Sequence, residues 1–204
     1  MKIKICGITK LEDALLAAEY GADAIGFIFY SGSKRYISPS EAKIIINKLP
    51  AFLVKVGVFV DEDLKLVNEI SSSVKLNAIQ LHGEESQKYI DKTILPVIKA
   101  FRVKNEFDFS LLKKFNNCSF LLDAFDDADY GGTGKSFNWS SIPEKLKKNI
   151  ILAGGIGSNN LDEIFSKIKP YAIDISSSIE DSPGIKNHEK LRSFLSQFNK
   201  LRYC

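Results

Sequence analysis

Short apolar runs alternate along the chain with stretches of helical periodicity. The runs that read as strands are Ile3 to Cys6, Ala24 to Phe29, Leu53 to Phe59, Ala78 to Leu81, Pro96 to Phe101, Ser119 to Asp123, Ile150 to Ala153 and Ala172 to Ile175. Most are nearly continuous in Val, Ile, Leu and Phe, which marks parallel strands covered on both faces; a sheet wet on one face would alternate. Between them, segments such as Leu11 to Tyr20 and Leu64 to Ser71 place apolar residues at helical intervals. Thr9 with Glu12, and Ser38 with Glu41, have the spacing of a capping box, and Pro39 stands at the first helical position of the second. Eight βα units without a Pro/Gly/Ser-rich break predict one α/β domain over residues 1–204, a single (β/α)8 TIM barrel. A doubly wound open sheet is the alternative, because closure is inferred rather than written in any local pattern. The length of 204 residues lies near the short end of the roughly 200 to 400 typical of this barrel, so compact helices are expected.

Composition narrows the function classes. At 45% hydrophobic and 26% charged, the chain can fill a large core. Its 28 basic and 25 acidic residues, net +3, are spread along the chain and form no basic face, so no nucleic-acid partner is expected. Lys2, Lys4 and Gly7 interrupt the apolar start too early for a signal peptide, and no run reaches membrane-spanning length, so the expected location is the cytoplasm. Cys6, Cys118 and Cys204 are too far apart for a disulfide framework or a zinc cluster and read as free thiols.

In such a barrel the active site is built from loops after the carboxyl ends of the strands. Those positions hold Cys6, Arg35, Gln80, His82, Asp123, the Gly131 to Gly134 turn, Gly154 with Gly155, and Asp174 with Ser176 to Ser178. The last two units end in Ala153-Gly154-Gly155-Ile156-Gly157 and Ser176-Ser177-Ser178, small residues that let backbone N–H groups approach an anion at the usual phosphate position. The expected ligand is a small phosphorylated metabolite. Cys6 puts a thiol at the rim with Gly7 beside it, and Lys4 lies on the same strand face, where a cation would favour the thiolate. A lone Cys equally reads as a small buried hydrophobe. Asp123 opens a loop containing Asp126, Asp127 and Asp129, whose charges would hold its proton to higher pH and suit it as a general acid; a helix cap or a solvated acidic loop is the alternative. Arg35 offers a planar fork for a substrate carboxylate, or forms a solvated pair with Lys34. Gln80 and His82 share a strand face, with His82 either contacting substrate or serving as a hydrogen-bonded structural histidine. Cys118, at the opposite end, and Cys204 are expected to have no functional role.

The segments Lys4-Ile5-Cys6-Gly7-Ile8-Thr9, Gly21 to Phe27, Ser33 to Ile37, Gln80-Leu81-His82-Gly83, Leu122-Asp123, Gly131 to Gly134 and Leu152 to Ile156 together resemble the phosphoribosylanthranilate isomerases of tryptophan biosynthesis. The correspondence is collinear over nearly the whole chain. The Cys motif combined with the Asp123 to Gly134 segment is its most specific part. Ser178 stands where the family usually has glycine, which bears on the last phosphate loop because a side chain costs energy at positive φ. The resemblance implies an Amadori rearrangement of N-(5-phosphoribosyl)anthranilate to 1-(2-carboxyphenylamino)-1-deoxyribulose 5-phosphate. It implies Asp123 as general acid, Cys6 as general base and Arg35 as the carboxylate clamp. Gln80, His82, Gly132, Gly154, Gly155, Asp174, Ser176 and Ser177 would lie around the substrate and its phosphate. No step transfers electrons or requires a Lewis acid, so no cofactor or metal is expected, and the assembly would be a monomer or homodimer.

Three rivals are weaker. A metal-dependent sugar-phosphate epimerase needs several His and carboxylate ligands, and only His82 and His188 are present. The related aminoaldose isomerase of histidine synthesis resembles this architecture but has aspartate where Cys6 stands. A non-catalytic phosphometabolite-binding barrel would leave a thiol and a carboxyl on strands one and six without purpose.

Overall fold

The computed structural model describes residues 1–104, 106–124 and 138–203. Eight parallel strands, β1 (Lys2–Ile5), β2 (Ala24–Ile28), β3 (Val54–Phe59), β4 (Ala78–Leu81), β5 (Val97–Val103), β6 (Cys118–Ala124), β7 (Ile150–Ala153) and β8 (Ala172–Ile175), form a closed barrel in chain order. Closure rules out the open sheet. Lys2, Ile3, Lys4 and Ile5 of β1 register against Ala172, Ile173, Asp174 and Ile175 of β8. A hairpin absent from the expected elements, β9 (Glu180–Ser182) and β10 (Ile185–Lys186), follows β8 and turns at Pro183-Gly184, where Gly184 has φ +84°.

The outer layer comprises α1 (Leu11–Glu19), α2 (Pro39–Ile46), α3 (Leu64–Val74), α4 (Gln87–Ile90), α5 (Glu144–Lys147), α6 (Leu161–Glu163) running into a π-helical turn at Ile164–Ile168, and α7 (His188–Tyr203). Several crossovers are one turn long, and a 3-10 helix, Phe109–Lys114, joins β5 to β6, as the short chain requires. The capping box at Ser38 and Glu41 forms in full, with Pro39 in the first turn. The expected box at Thr9 and Glu12 does not: α1 starts after Lys10 without a side-chain cap, and the Thr9 hydroxyl donates instead to the Gly184 carbonyl of the hairpin. Helix α3 runs on to Val74 and stops at Lys75, which is left-handed at φ 63°. Among the described residues no helix is long and apolar enough to cross a membrane.

Strand residues alternate between two cores. One face, including Ile5, Ile25, Phe27, Leu81, Leu122 and Ile173, packs on Leu16, Val67, Phe194 and Phe198 of the helices. Each such side chain contributes about 1.5–3 kcal/mol on burial. The other face fills the barrel with a smaller cluster, Ala100, Leu121, Ile151, Ala153 and Ala172 with Ile98.

Candidate active site

Towards the carboxyl ends the barrel interior turns polar. Lys4 Nζ donates to Asp174 Oδ2 at 2.7 Å, a cross-strand ion pair with side chains only 4% and 7% exposed. Cys6 follows directly after β1, is buried, and lies beside Lys4. Gly26 of β2 makes the space for both: a Cβ there would lie 2.8 Å from Cys6 Sγ and 3.2 Å from Lys4 Nζ. Burial pushes the Cys6 thiol above its usual range, and Lys4 pulls it back. Burial would lower Lys4, but Asp174 and the thiol outweigh it and hold the ammonium above its ordinary value. Asp174 is raised by burial against the pull of Lys4. Its Oδ1 is buried and has no hydrogen-bond partner among the described residues.

The row continues round the wall. Asp174 registers with Ala153, Ala153 with Asp123, and Asp123 with Arg102 of β5. The Asp123 side chain keeps 32% exposure at the mouth. Its remaining surface is walled by protein, and burial followed by the charge of Asp174 lifts its pKa to about 7. The like charge is thus Asp174, two strands along the wall; Asp126, Asp127 and Asp129 lie outside the described residues. His82 Nε2 stands 3.5 Å from Asp123 Oδ2, and its Nδ1 is 3.3 Å from Gln80 Nε2. With the amide in this orientation Gln80 donates to Nδ1, which leaves the ring proton on Nε2, towards Asp123. Burial, then Arg102, Lys4 and Lys99, bring His82 down to about 4, so the ring is neutral at neutral pH. The loop that follows is held by Lys99, which donates to Glu85 Oε2 at 2.8 Å and to the Gly83 carbonyl.

Gly154 has φ +79° and Gly155 φ +67°. A Cβ on Gly154 would lie 2.5 Å from Ala124 N and 2.7 Å from Asp123 Oδ1, so this glycine also seats Asp123. Asn160 spans the same loop, donating to Gly155 O at 2.8 Å and accepting from Gly157 N at 3.0 Å. Ser177 and Ser178 are exposed in the 3-10 turn Ser177–Ile179. Ser178 does not take positive φ, so the cost of lacking glycine there does not arise. Gly132 and its turn lie outside the described residues.

Arg35 is not part of a solvated pair. Lys34 is exposed, whereas Arg35 grips Glu180 of β9: Nε donates to Oε1 and Oε2 at 3.0 and 3.1 Å, and Nη2 to Oε2 at 2.7 Å. Gly7, at φ +73°, lets this happen, since a Cβ there would lie 2.7 Å from Arg35 Cδ. Glu180 Oε1 also accepts from Lys186 Nζ at 2.7 Å, and Lys186 donates to the Cys6 carbonyl at 2.6 Å. The Ser176 hydroxyl donates to that carbonyl at 3.1 Å. No local pattern points to Glu180 or Lys186; the Pro183-Gly184 dipeptide between them signals a turn, not a site.

The chain matches the family described as N-(5'-phosphoribosyl)anthranilate (PRA) isomerase over residues 3–197. It belongs to the phosphoribosylanthranilate isomerase family. The phosphoribosylanthranilate isomerase of Geobacter sp. (strain M21) is 46% identical over 201 residues, 98% of each chain. The crystal structure of phosphoribosylanthranilate isomerase from Thermotoga maritima superposes with a TM-score of 0.91 at 41% identity, covering 98% of this chain and 99% of that one. A crystal structure of phosphoribosylanthranilate isomerase in complex with reduced 1-(o-carboxyphenylamino)-1-deoxyribulose 5-phosphate superposes with a TM-score of 0.87 at 39% identity over 98% and 99% of the two chains.

Proposed function

We propose that this family member rearranges N-(5-phosphoribosyl)anthranilate to 1-(2-carboxyphenylamino)-1-deoxyribulose 5-phosphate, with Asp123 as acid and Cys6 as base. The observation that carries this reading is a thiol beside a buried ammonium and a carboxyl that keeps its proton near neutral pH, both on one barrel rim. Asp123 protonates the furanose ring oxygen, the C1–O bond breaks, and the nitrogen lone pair forms an iminium. Cys6 removes the C2 proton, the C–H electrons form the C1=C2 bond, and the neutral enolamine tautomerises to the ketone. Burial opposes the thiolate at rest; Lys4 and the cationic iminium favour it, and the iminium also acidifies C2–H, so a modest base suffices.

The rest of the site supports the binding roles. Arg35 presents the guanidinium edge left over by Glu180 to the anthranilate carboxylate. The unpartnered Asp174 Oδ1 suits a substrate hydroxyl. Gln80 and His82 complete the wall beside Asp123. The loops carrying Gly154, Gly155, Ser176 and Ser177 hold the phosphate; Ser176 contributes backbone, because its hydroxyl is committed to Cys6.

The test is the decay of anthranilate-type fluorescence when freshly generated phosphoribosylanthranilate meets the purified chain in EDTA. Rapid decay with the parent, slowed by roughly 10²- to 10⁴-fold in Cys6→Ser, is expected from loss of a general base. No decay with folded parent overturns the reading.

A further inference from the structure

The hairpin after β8 carries two buried charged side chains that the acid–base scheme leaves unused. Glu180 and Lys186 are 7% and 3% exposed. One carboxylate oxygen of Glu180 takes bonds from Arg35 Nε, Lys186 Nζ and Gly184 N at 3.0, 2.7 and 3.2 Å, while the other takes Arg35 Nε and Nη2. Lys186 Nζ spends its hydrogens on Glu180, on the Cys6 carbonyl and on Ser176. Gly7, the residue after Cys6, leaves the room that Arg35 occupies: a Cβ there would lie 2.7 Å from Arg35 Cδ. Residues far apart in sequence, the clamp and the base, are therefore tied to a single carboxylate.

We infer that Glu180 and Lys186 are positioning residues for the reaction: Glu180 aims Arg35 at the substrate carboxylate, and Lys186 fixes the backbone that carries Cys6. The inference rests on the roles of Arg35 and Cys6 proposed above. Nε and Nη2 are spent on Glu180, so the fork cannot rotate and its free edge faces one direction. A freely rotating arginine would have to be ordered by the substrate, at a side-chain entropy cost worth roughly 10- to 30-fold in affinity. Charge within the network supports the arrangement. Burial would raise Glu180, but Arg35 and Lys186 outweigh it and hold the carboxyl below its ordinary value, so the anion persists. A charge-assisted hydrogen bond from Lys186 to a backbone carbonyl leaves Cys6 little freedom to drift from C2.

The test compares two ligands, reduced 1-(o-carboxyphenylamino)-1-deoxyribulose 5-phosphate and its counterpart with a plain phenyl ring, alongside kcat and KM. The parent should prefer the carboxylated ligand by roughly 10- to 150-fold, the worth of hydrogen bonds to a charged group. Arg35→Met should abolish that preference, and Glu180→Gln should shrink it by roughly 10-fold with a rise in KM, from the entropy no longer prepaid. Lys186→Met should lower kcat by roughly 10-fold or more, with the ligand preference and KM within about threefold of the parent, since misplacing the base costs rate rather than affinity. A purely structural role would weaken both ligands alike. Where Glu180→Gln fails to fold, Glu180→Asp decides: its shorter carboxylate cannot reach both partners, so the preference should still drop severalfold. A parent preference lost in Arg35→Met but unchanged or increased in the folded Glu180 variants overturns the inference and leaves the role of Arg35 standing. A parent without preference overturns both.

Discussion

Gly26→Ala tests the geometry around the thiol most directly. Gly26 does not take positive φ, so the backbone itself accepts alanine. The added Cβ would sit 2.8 Å from Cys6 Sγ, 3.0 Å from Lys4 Cε and 3.2 Å from Lys4 Nζ. Comfortable contacts are about 3.5–4.0 Å, so Sγ and Lys4 must retreat by up to about 1 Å. All three atoms belong to side chains, so the strain falls on the site and not on the barrel. Overpacking of this kind costs about 1–3 kcal/mol, a Tm drop of about 2–4 °C per kcal/mol for a chain of this size. A base displaced by about 1 Å costs roughly 10²-fold in rate. The fluorescence assay should show kcat down by that order with KM nearly unchanged, while thermal unfolding shows a folded protein. Gly57→Ala is the contrast: its Cβ would meet Leu76, Phe59 and Phe29 at 2.4, 2.9 and 3.1 Å, in the outer core. It should lower Tm at least as much while the folded fraction keeps its kcat. A kcat for Gly26→Ala within about threefold of the parent would refute the placement of Cys6 and Lys4 in a shared notch.

Three further outcomes follow from other parts of the site. Gly154→Ala meets backbone at Ala124 N as well as Asp123, at φ +79°, so it should lose about 1–3 kcal/mol to backbone strain and lower kcat besides, as unfolding curves and the same assay will show. Asp123 has a folded pKa of about 7 against an ordinary 3.8, so it binds its proton more tightly when folded. That stability is complete below about pH 4 and lost as pH rises to about 7. The stability of the parent minus that of Asp123→Asn, from denaturant melts, should therefore fall across this window and then level; a flat difference contradicts the raised carboxyl. Lys99→Met leaves Glu85, 2% exposed at the side chain, without its cation, and should cost about 3–5 kcal/mol in denaturant melts.

All eight strands were legible because each is an apolar run whose character depends only on being covered on both faces, and they stand within two residues of the expected bounds. The Ser38 cap was legible for a similar reason: its partner is three residues away. Thr9 offered the same local pattern and was misleading, because its hydroxyl is taken by Gly184, at a sequence distance no periodicity reports. Cys6, Asp123, Arg35 and Asp174 could be picked out by position at strand ends alone. What surrounds each of them could not. Sequence suggested an acidic loop as the source of Asp123's raised pKa; burial and Asp174 supply it among the described residues. Gly26 read as a strand residue and Gly154 as part of a phosphate loop, and only the packed barrel shows them as the spaces beside Sγ and a carboxyl oxygen. Glu180 and Lys186 flank a Pro-Gly turn and no local pattern singles them out, because their partners Arg35 and Cys6 lie 145 and 180 residues away. The chain by itself determined the order of elements and which side chains reach the rim, since both follow from near-neighbour periodicity. The tertiary structure alone decided which charges meet, because those pairings exist only once β8 closes against β1 and brings the two ends of the sequence together.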